Sequence, residues 1–298
     1  MPAHHITVCI CTFKRAELLK KLLERLDHQQ TDNLFTYSAV VADNDSSRSA
    51  QSVVTAFSSA AGLRVKYCLE AQQNIALVRN QAIEHADGDF IAFIDDDEFP
   101  ADDWLCNLFK SYEKYGADGV LGPVKPYFEH DPPRWVTKGK FFERPEYATG
   151  YKLSWSETRT GNVLFSRSIL VGLDTPFKPE FGAGGEDVDF FRRMVEKGCT
   201  FVWCNEAIAY EVVPPARCTR SYLLKRALLI GSNSARSPRH RVRNAATSLV
   251  AASSYTLSLP VVALFGQHLF VRYLFKLLYH ASRLRALLGL GLVTQREI

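Results

Sequence analysis

Four consecutive acids, Asp95-Asp96-Asp97-Glu98, follow the apolar run Phe90-Ile91-Ala92-Phe93-Ile94. The run has the length and residue types of a buried strand, so the carboxylates gather at its carboxyl end. Charges so crowded repel one another. A divalent cation relieves this, held by one or two carboxylates with waters and substrate phosphates completing its shell. Asp95 and Asp97 are two apart where strand gives way to turn, so both can face one crevice. The plainer alternative is a solvated acidic turn capping a helix that starts near Asp102. Acids at a strand's carboxyl end lie where open α/β sheets bind ligands, which favours the cation, Mg2+ or Mn2+.

A second cluster runs Phe181-Gly182-Ala183-Gly184-Gly185-Glu186-Asp187-Val188-Asp189. Its glycines allow close backbone approach, and its acids open a helix predicted to reach about Lys197. Acids in a first helical turn are favoured by the helix dipole, so capping is the plainer alternative to a chemical role for them.

The elements that must position these groups read in order. Strands are predicted at Ile6–Cys11, Ser38–Ala42, Val65–Leu69, Gly119–Gly122 and Thr200–Trp203. Helices are predicted at Ala16–Leu26, Ser49–Ser58, Asn74–Glu84 and Asp102–Tyr115. Strands alternating with helices at this spacing make a mostly parallel sheet with right-handed crossovers. In such a sheet the loops after the strands share one edge, which brings Thr12 to Arg15, Asp43 and Asp95 to Asp97 together. Arg79 joins them from the helix feeding the acidic strand. A base-reading Asp, phosphate-binding Arg and a metal site make a nucleotide-diphosphate pocket.

Six motifs carry a resemblance: VCICTFKR (8–15), VVADNDSS (40–47), QNIALVRNQAI (73–83), FIDDDEFP (93–100), TGNVLFSR (160–167) and GEDVDFFRR (185–193). Together the chain resembles the family 2 glycosyltransferases of GT-A fold, closest in pattern to bacterial exopolysaccharide (succinoglycan-type) glucosyltransferases. The resemblance implies a metal-dependent, inverting hexosyltransferase that moves glucose from a UDP-sugar to a growing saccharide. It implies that Asp43 reads uracil, that Thr12, Arg15 and Arg79 hold the nucleotide, and that Asp95 and Asp96 line the donor site. Asp95 and Asp97 would be the D-x-D acids, with Asp97 the direct metal ligand. Glu186 and Asp187 would form the acceptor-site pair, with Asp187 as general base. Many relatives have Pro and Asn where this chain has Cys11 and Lys14, and a His near Tyr210-Glu211. A sugar nucleotidyltransferase is the rival of similar fold, but Thr12 to Arg15 lacks its glycine-rich phosphate loop.

The charge is divided. Residues 212–296 hold thirteen Lys and Arg and no Asp or Glu, while residues 1–211 hold 31 of the 32 acids. Such a tail points to an anionic partner. A nucleic-acid-binding protein is the rival from another class, and the acidic cleft argues against it. Residues 245–271 carry no charge at pH 7 with His268 neutral, enough to span a bilayer. Their six Ser and Thr, with Pro260 and Gly266, argue against a full span. From Leu269 onward Arg272, Lys276, His280 and Arg283 share one helical face, as in a helix lying on anionic lipid. Arg217, Arg220 and Arg226 suit either closure over a diphosphate or that same surface.

The expected organisation is a glycosyltransferase domain over 1–230, with halves 1–122 and 123–230, and a basic helical tail over 231–298. The expected place is the cytoplasmic face of the plasma membrane, peripheral or monotopic, with a polyprenyl-diphosphate-linked acceptor. Seven cysteines without a C-x-x-C pair read as reduced thiols, and MPAHHITVCICTF has no export-signal pattern. The aromatics of 123–160 suit either a sugar site or loop anchors.

Overall fold

The computed structural model describes residues 4–182, 184–235 and 241–290. Its first elements alternate as predicted: β1 (His4–Thr12), α1 (Ala16–Leu26), β2 (Phe35–Asp43), α2 (Gln51–Ser58), β3 (Val65–Leu69), α3 (Ile75–His85) and β4 (Phe90–Phe93). Next come β5 (Glu98–Pro100), α4 (Trp104–Tyr115), β6 (Gly119–Leu121), β7 (Val124–Tyr127) and α5 (Arg134–Gly139). β8 (Val163–Ser166), α6 (Glu186–Glu196), β9 (Phe201–Trp203) and β10 (Ala209–Val212) follow. Three longer helices come last: α7 (Arg220–Ser234), α8 (Arg241–Ala263) and α9 (Gln267–Leu287).

Seven strands form one sheet in the order β3-β2-β1-β4-β8-β6-β9. β1 pairs in parallel with β2 and β4, and β2 in parallel with β3. β8 alone runs antiparallel to its neighbours. Strand alternation sends residues to two core layers. Ile6, Val8 and Ile10 meet Leu22 of α1 and Trp104 of α4, while Cys9 joins Val78 of α3 and Phe190 of α6 on the other face. Burial pushes the Cys9 thiol well above its usual range, so it packs as a small apolar group.

Two features escaped the sequence pattern. β8 is a four-residue strand inside TGNVLFSR, too short to show a period. Strand structure also resumes directly after the acids, with Glu98 to Pro100 forming β5. β5 is an edge strand of a second sheet, β5-β10-β7, where proline's missing N–H removes no ladder bond on the open side.

Contacts gather the chain into two units, Met1–Tyr127 with Arg144–Val212, and Phe128–Glu143 with Val213–Ile298. The division expected near residue 230 falls inside α7. The expected acceptor half is itself split, because Val136 and Phe142 pack with Val213, Leu223 and Val271 in the second unit's own core. Phe128, Trp135 and Phe141 lean on that core, so these aromatics are anchors. Within the second unit α7 crosses α9 at Gly231, where a Cβ would lie 2.3 Å from the Tyr279 carbonyl oxygen. Beside that crossing Ser282 Oγ donates to the Leu228 carbonyl at 2.6 Å.

Candidate active site

Parallel pairing aligns the strand ends, and the register sets Thr12 beside Asp43. From β1, Thr12 Oγ1 donates to Asp96 Oδ2 at 2.8 Å. Arg15 Nη1 donates to Asp96 Oδ1 at 2.9 Å and lies 3.1 Å from Asp97 Oδ2. The turn between them places Lys14 at φ 55°, in the left-handed region. Asn tolerates that region better than Lys, which accounts for the Asn expected there in relatives. Burial works against the charge on Arg15, but Asp96 and Asp97 outweigh it and keep its pKa above the usual value.

The four acids are not equivalent. Asp96 and Asp97 are buried under Arg15, whereas the Asp95 side chain keeps 46% of its surface open. Burial pushes Asp96 up to about 6 against the pull of Arg15. The surrounding protein raises Asp95 as well, with Arg79 pulling it back and Asp97 adding to the rise. Burial, then Asp95, raises Glu98 well above the carboxylate range. Glu98 stands directly across from Glu211 in the β5–β10 register, and Arg144 ties them, bonded to Glu211 and 4.0 Å from Glu98. Glu211 thus fills the neighbourhood where the resemblance expects a His.

Asp43 is fully enclosed. Its carboxylate accepts from Asp45 N at 3.0 Å, Ala50 N at 2.9 Å and the Tyr67 hydroxyl at 3.1 Å. It ties the loop after β2 and presents no surface to a ligand. Asn44 extends the tie, donating to the Glu70 and Gln72 carbonyls and accepting from Asn74 N at 2.9 Å.

α3 grips the segment leading to the second acidic cluster. Asn74 caps α3 by accepting from Ala76 N and Leu77 N, and donates to the Pro179 carbonyl at 3.0 Å. Asn80 exchanges two hydrogen bonds with the Phe177 backbone, at 2.7 and 2.9 Å. Arg79, 7% exposed, pairs with Glu186 and lies 3.7 Å from Asp95. Its guanidinium also sits over the Phe177 ring at 5.7 Å. Arg79 therefore links the two acidic clusters.

Gly184 and Gly185 turn the chain into α6 at φ 117° and 95°, conformations that favour glycine. Gly185 is the N-cap and makes no side-chain cap bond. The first-turn acids then divide. Glu186 is buried on Arg79, and Asp189 holds Arg192 at 2.9 Å and Arg193 at 2.8 Å. Asp187 is half-buried and accepts from the N–H of Val188 at 2.8 Å. Asp187 thus accepts from a first-turn N–H, while the Asp189 carboxylate is taken up by arginine side chains.

Three contributors lie outside the sequence expectation. Gly161 backs the acids so closely that a Cβ would sit 3.0 Å from Glu98 Oε1. Asn162, at φ 58°, accepts from the Trp104 indole at 2.7 Å and donates to the Pro123 and Ala207 carbonyls. Arg159 packs over the Trp203 ring at 5.9 Å and makes no ion pair among the described residues. Burial, then the like charge of Arg144, lowers it to about 10, and its Nε has no hydrogen-bond partner among the described residues. The TG-N motif signalled the first two. Arg159, in an irregular stretch, gave no periodic signal.

The donor set fits a hard cation. Asp95 offers an open carboxylate, and Glu98 Oε1 is buried without a hydrogen-bond partner among the described residues. Among the described residues no three acid, His or Cys side chains close into a ready cage. Cations that complete their shell with substrate phosphates bind in such partial sites.

The acid row at the carboxyl edge of this sheet is thus joined through Arg79 to Glu186 of α6. The chain belongs to glycosyl transferase family 2, whose model matches residues 7–171. It is 32% identical over 306 residues to succinoglycan biosynthesis protein ExoM of Rhizobium meliloti, covering 98% of this chain and 95% of that one. Chondroitin synthase of Pasteurella multocida is 27% identical over 71% of this chain and 25% of its own length. Among solved structures, mannosyltransferase PcManGT from Pyrobaculum calidifontis, in complex with GDP-Man and Mn2+, superposes with TM-score 0.66 at 19% identity. That match covers 96% of this chain and 88% of the other. S. aureus TarS in complex with UDP gives 0.54 at 18% identity, over 76% of this chain and 65% of that chain. At such identities these structures speak for the GT-A fold alone.

Proposed function

We propose that the protein transfers a hexose, glucose by its resemblance, from a UDP-sugar to a lipid-linked saccharide with inversion, in exopolysaccharide synthesis at the cytoplasmic face of a membrane. The observation that carries this is the Asp95–Arg79–Glu186 link, which joins the acid row to the first turn of α6, where Asp187 follows Glu186. Thr12, Arg15 and Asp96 shape the nucleotide rim, and Asp43 acts on the base through the loop it ties. Asp95 and Asp97 would hold Mg2+ or Mn2+, which when bound neutralises charge on the departing diphosphate. Asp187 accepts the proton of an acceptor hydroxyl while that oxygen attacks the anomeric carbon. The bond to the diphosphate breaks on the opposite face, and UDP leaves with the electron pair. The succinoglycan relative supports the polymer class.

Thermal-shift measurements with UDP, GDP and ADP, with and without manganese, test the donor assignment. UDP with manganese is expected to stabilise the fold most. Asp97→Ala should fold but lose manganese-dependent UDP binding, and undiminished binding would remove Asp97 from the metal site. A preference for GDP would overturn the UDP assignment alone.

Arg159 is assigned to the diphosphate, because a half-buried cation with no ion pair among the described residues is set to receive an anion. Arg159→Gln is expected to weaken UDP binding about tenfold or more, the value of a charge-assisted hydrogen bond. Its melting temperature should hold or rise, because a half-buried charge without an ion pair is removed. A lower melting temperature with unchanged UDP affinity would make Arg159 a packing residue.

A further inference from the structure

α8 and α9 form an antiparallel hairpin, with Ser248, Tyr255, Tyr273 and His280 at its seam. Ser248 of α8 is fully buried, with its Oγ 3.3 Å from His280 Nδ1 of α9. Tyr255 meets Tyr273 edge-on at 5.5 Å and stacks on His280 at 6.0 Å. At the far end Arg241 donates to the Leu287 carbonyl at 3.2 Å. α8 is thus held against α9 along its length. The outward side is open and mainly apolar: Val242, Leu249, Leu257, Val261, Leu264 and Phe265 are 57–85% exposed, with Ser253, Ser254 and Thr256 interspersed. Water is a poor environment for such a stripe.

At 23 residues α8 is long enough to cross a bilayer. Its partner decides against that. α9 carries Arg272, Lys276, Arg283 and Arg285 beside α8, and the pairing contacts would take them along. A Lys or Arg at the bilayer centre is costly to insert. Crossing by α8 alone would break every contact of the hairpin. Lying flat keeps both the contacts and the hydration of the charges.

We propose that the hairpin is a single-leaflet anchor, with the outward stripe of α8 sunk parallel to the surface of an anionic bilayer. The proposal rests on the membrane attachment argued above and adds its geometry: the tail enters and leaves on one side. Charge complementarity identifies the lipid, since residues 212–296 hold thirteen Lys and Arg and no acid. Arg272 and Lys276 are exposed on α9 to meet headgroups.

Two measurements on the full chain test this. Flotation with vesicles is expected to recover about tenfold more protein on phosphatidylglycerol-containing than on pure phosphatidylcholine membranes. Leu257→Glu should lower that recovery about tenfold without changing the melting temperature, because the side chain touches little in the protein. In sealed inverted inner-membrane vesicles, protease added outside should remove a carboxyl-terminal epitope tag. A protected tag would mean a span, overturning the single-leaflet geometry while leaving attachment intact. Undiminished flotation of the Leu257→Glu variant would show that another surface binds lipid. Absence of flotation on both membranes would overturn attachment itself. Conversion of a wild-type dimer to monomer by Leu257→Glu would then assign the stripe to a second copy.

Discussion

Asp187→Asn is expected to lower turnover by about a hundredfold or more while leaving UDP affinity and melting temperature near wild type. The substitution keeps the size of the side chain and its acceptor oxygen for the Val188 N–H. It removes the capacity to take a proton, and a general base contributes about 10²–10⁴ in rate. The neighbouring acids provide internal controls. Glu186 is spent on Arg79 and Asp189 on two arginines, so Asp189→Asn should cost stability before it costs turnover. Steady-state transfer to an acceptor, with UDP titrations on the same preparations, separates the outcomes. Transfer by Asp187→Asn at more than a tenth of the wild-type rate would return Asp187 to a merely structural place in the first turn of α6.

What was legible beforehand divides along physical lines. Periodicity revealed α1, because Leu19, Leu22, Leu23 and Leu26 repeat on one face and all are fully enclosed. The parallel arrangement of β1, β2 and β4 followed from alternation alone, and with it the meeting of Thr12, Asp43 and Asp95 to Asp97. Partner choice within that cluster was not legible. Nothing in the spacing says that Asp43 is enclosed by its own loop, or that Arg15 sits on Asp96 and Asp97 while Asp95 stays open. Such choices depend on side-chain reach in three dimensions. The pairing of Glu98 with Glu211 was hidden for another reason. It arises from a second sheet whose strands are three and four residues long, below any detectable period.

The Arg79 link was likewise invisible, and breaking it is expected to have the largest effect on stability. Arg79→Met removes the guanidinium from a buried site, leaving Glu186, itself 3% exposed, without that cation. Deleting one partner of a buried ion pair costs about 3–5 kcal/mol, because the remaining charge lies in a poorly solvating environment. For a chain of this size that is a fall of roughly ten degrees in melting temperature. The loss should be partly recoverable. In Arg79→Met/Glu186→Gln neither charge remains, and most of the deficit should return. Activity should stay low in both variants, since the tie between Asp95 and α6 is gone. The cycle also distinguishes the two roles open to Arg79. A residue whose main duty is to hold the nucleotide would show little loss of stability in the single variant, no recovery in the double, and weakened UDP binding in each. A clamp would show the opposite order: stability lost and regained, with UDP affinity following the fold. Chemical denaturation of the single and double variants alongside wild type measures the coupling directly, and a coupling below about 1 kcal/mol would remove Arg79 from the clamp.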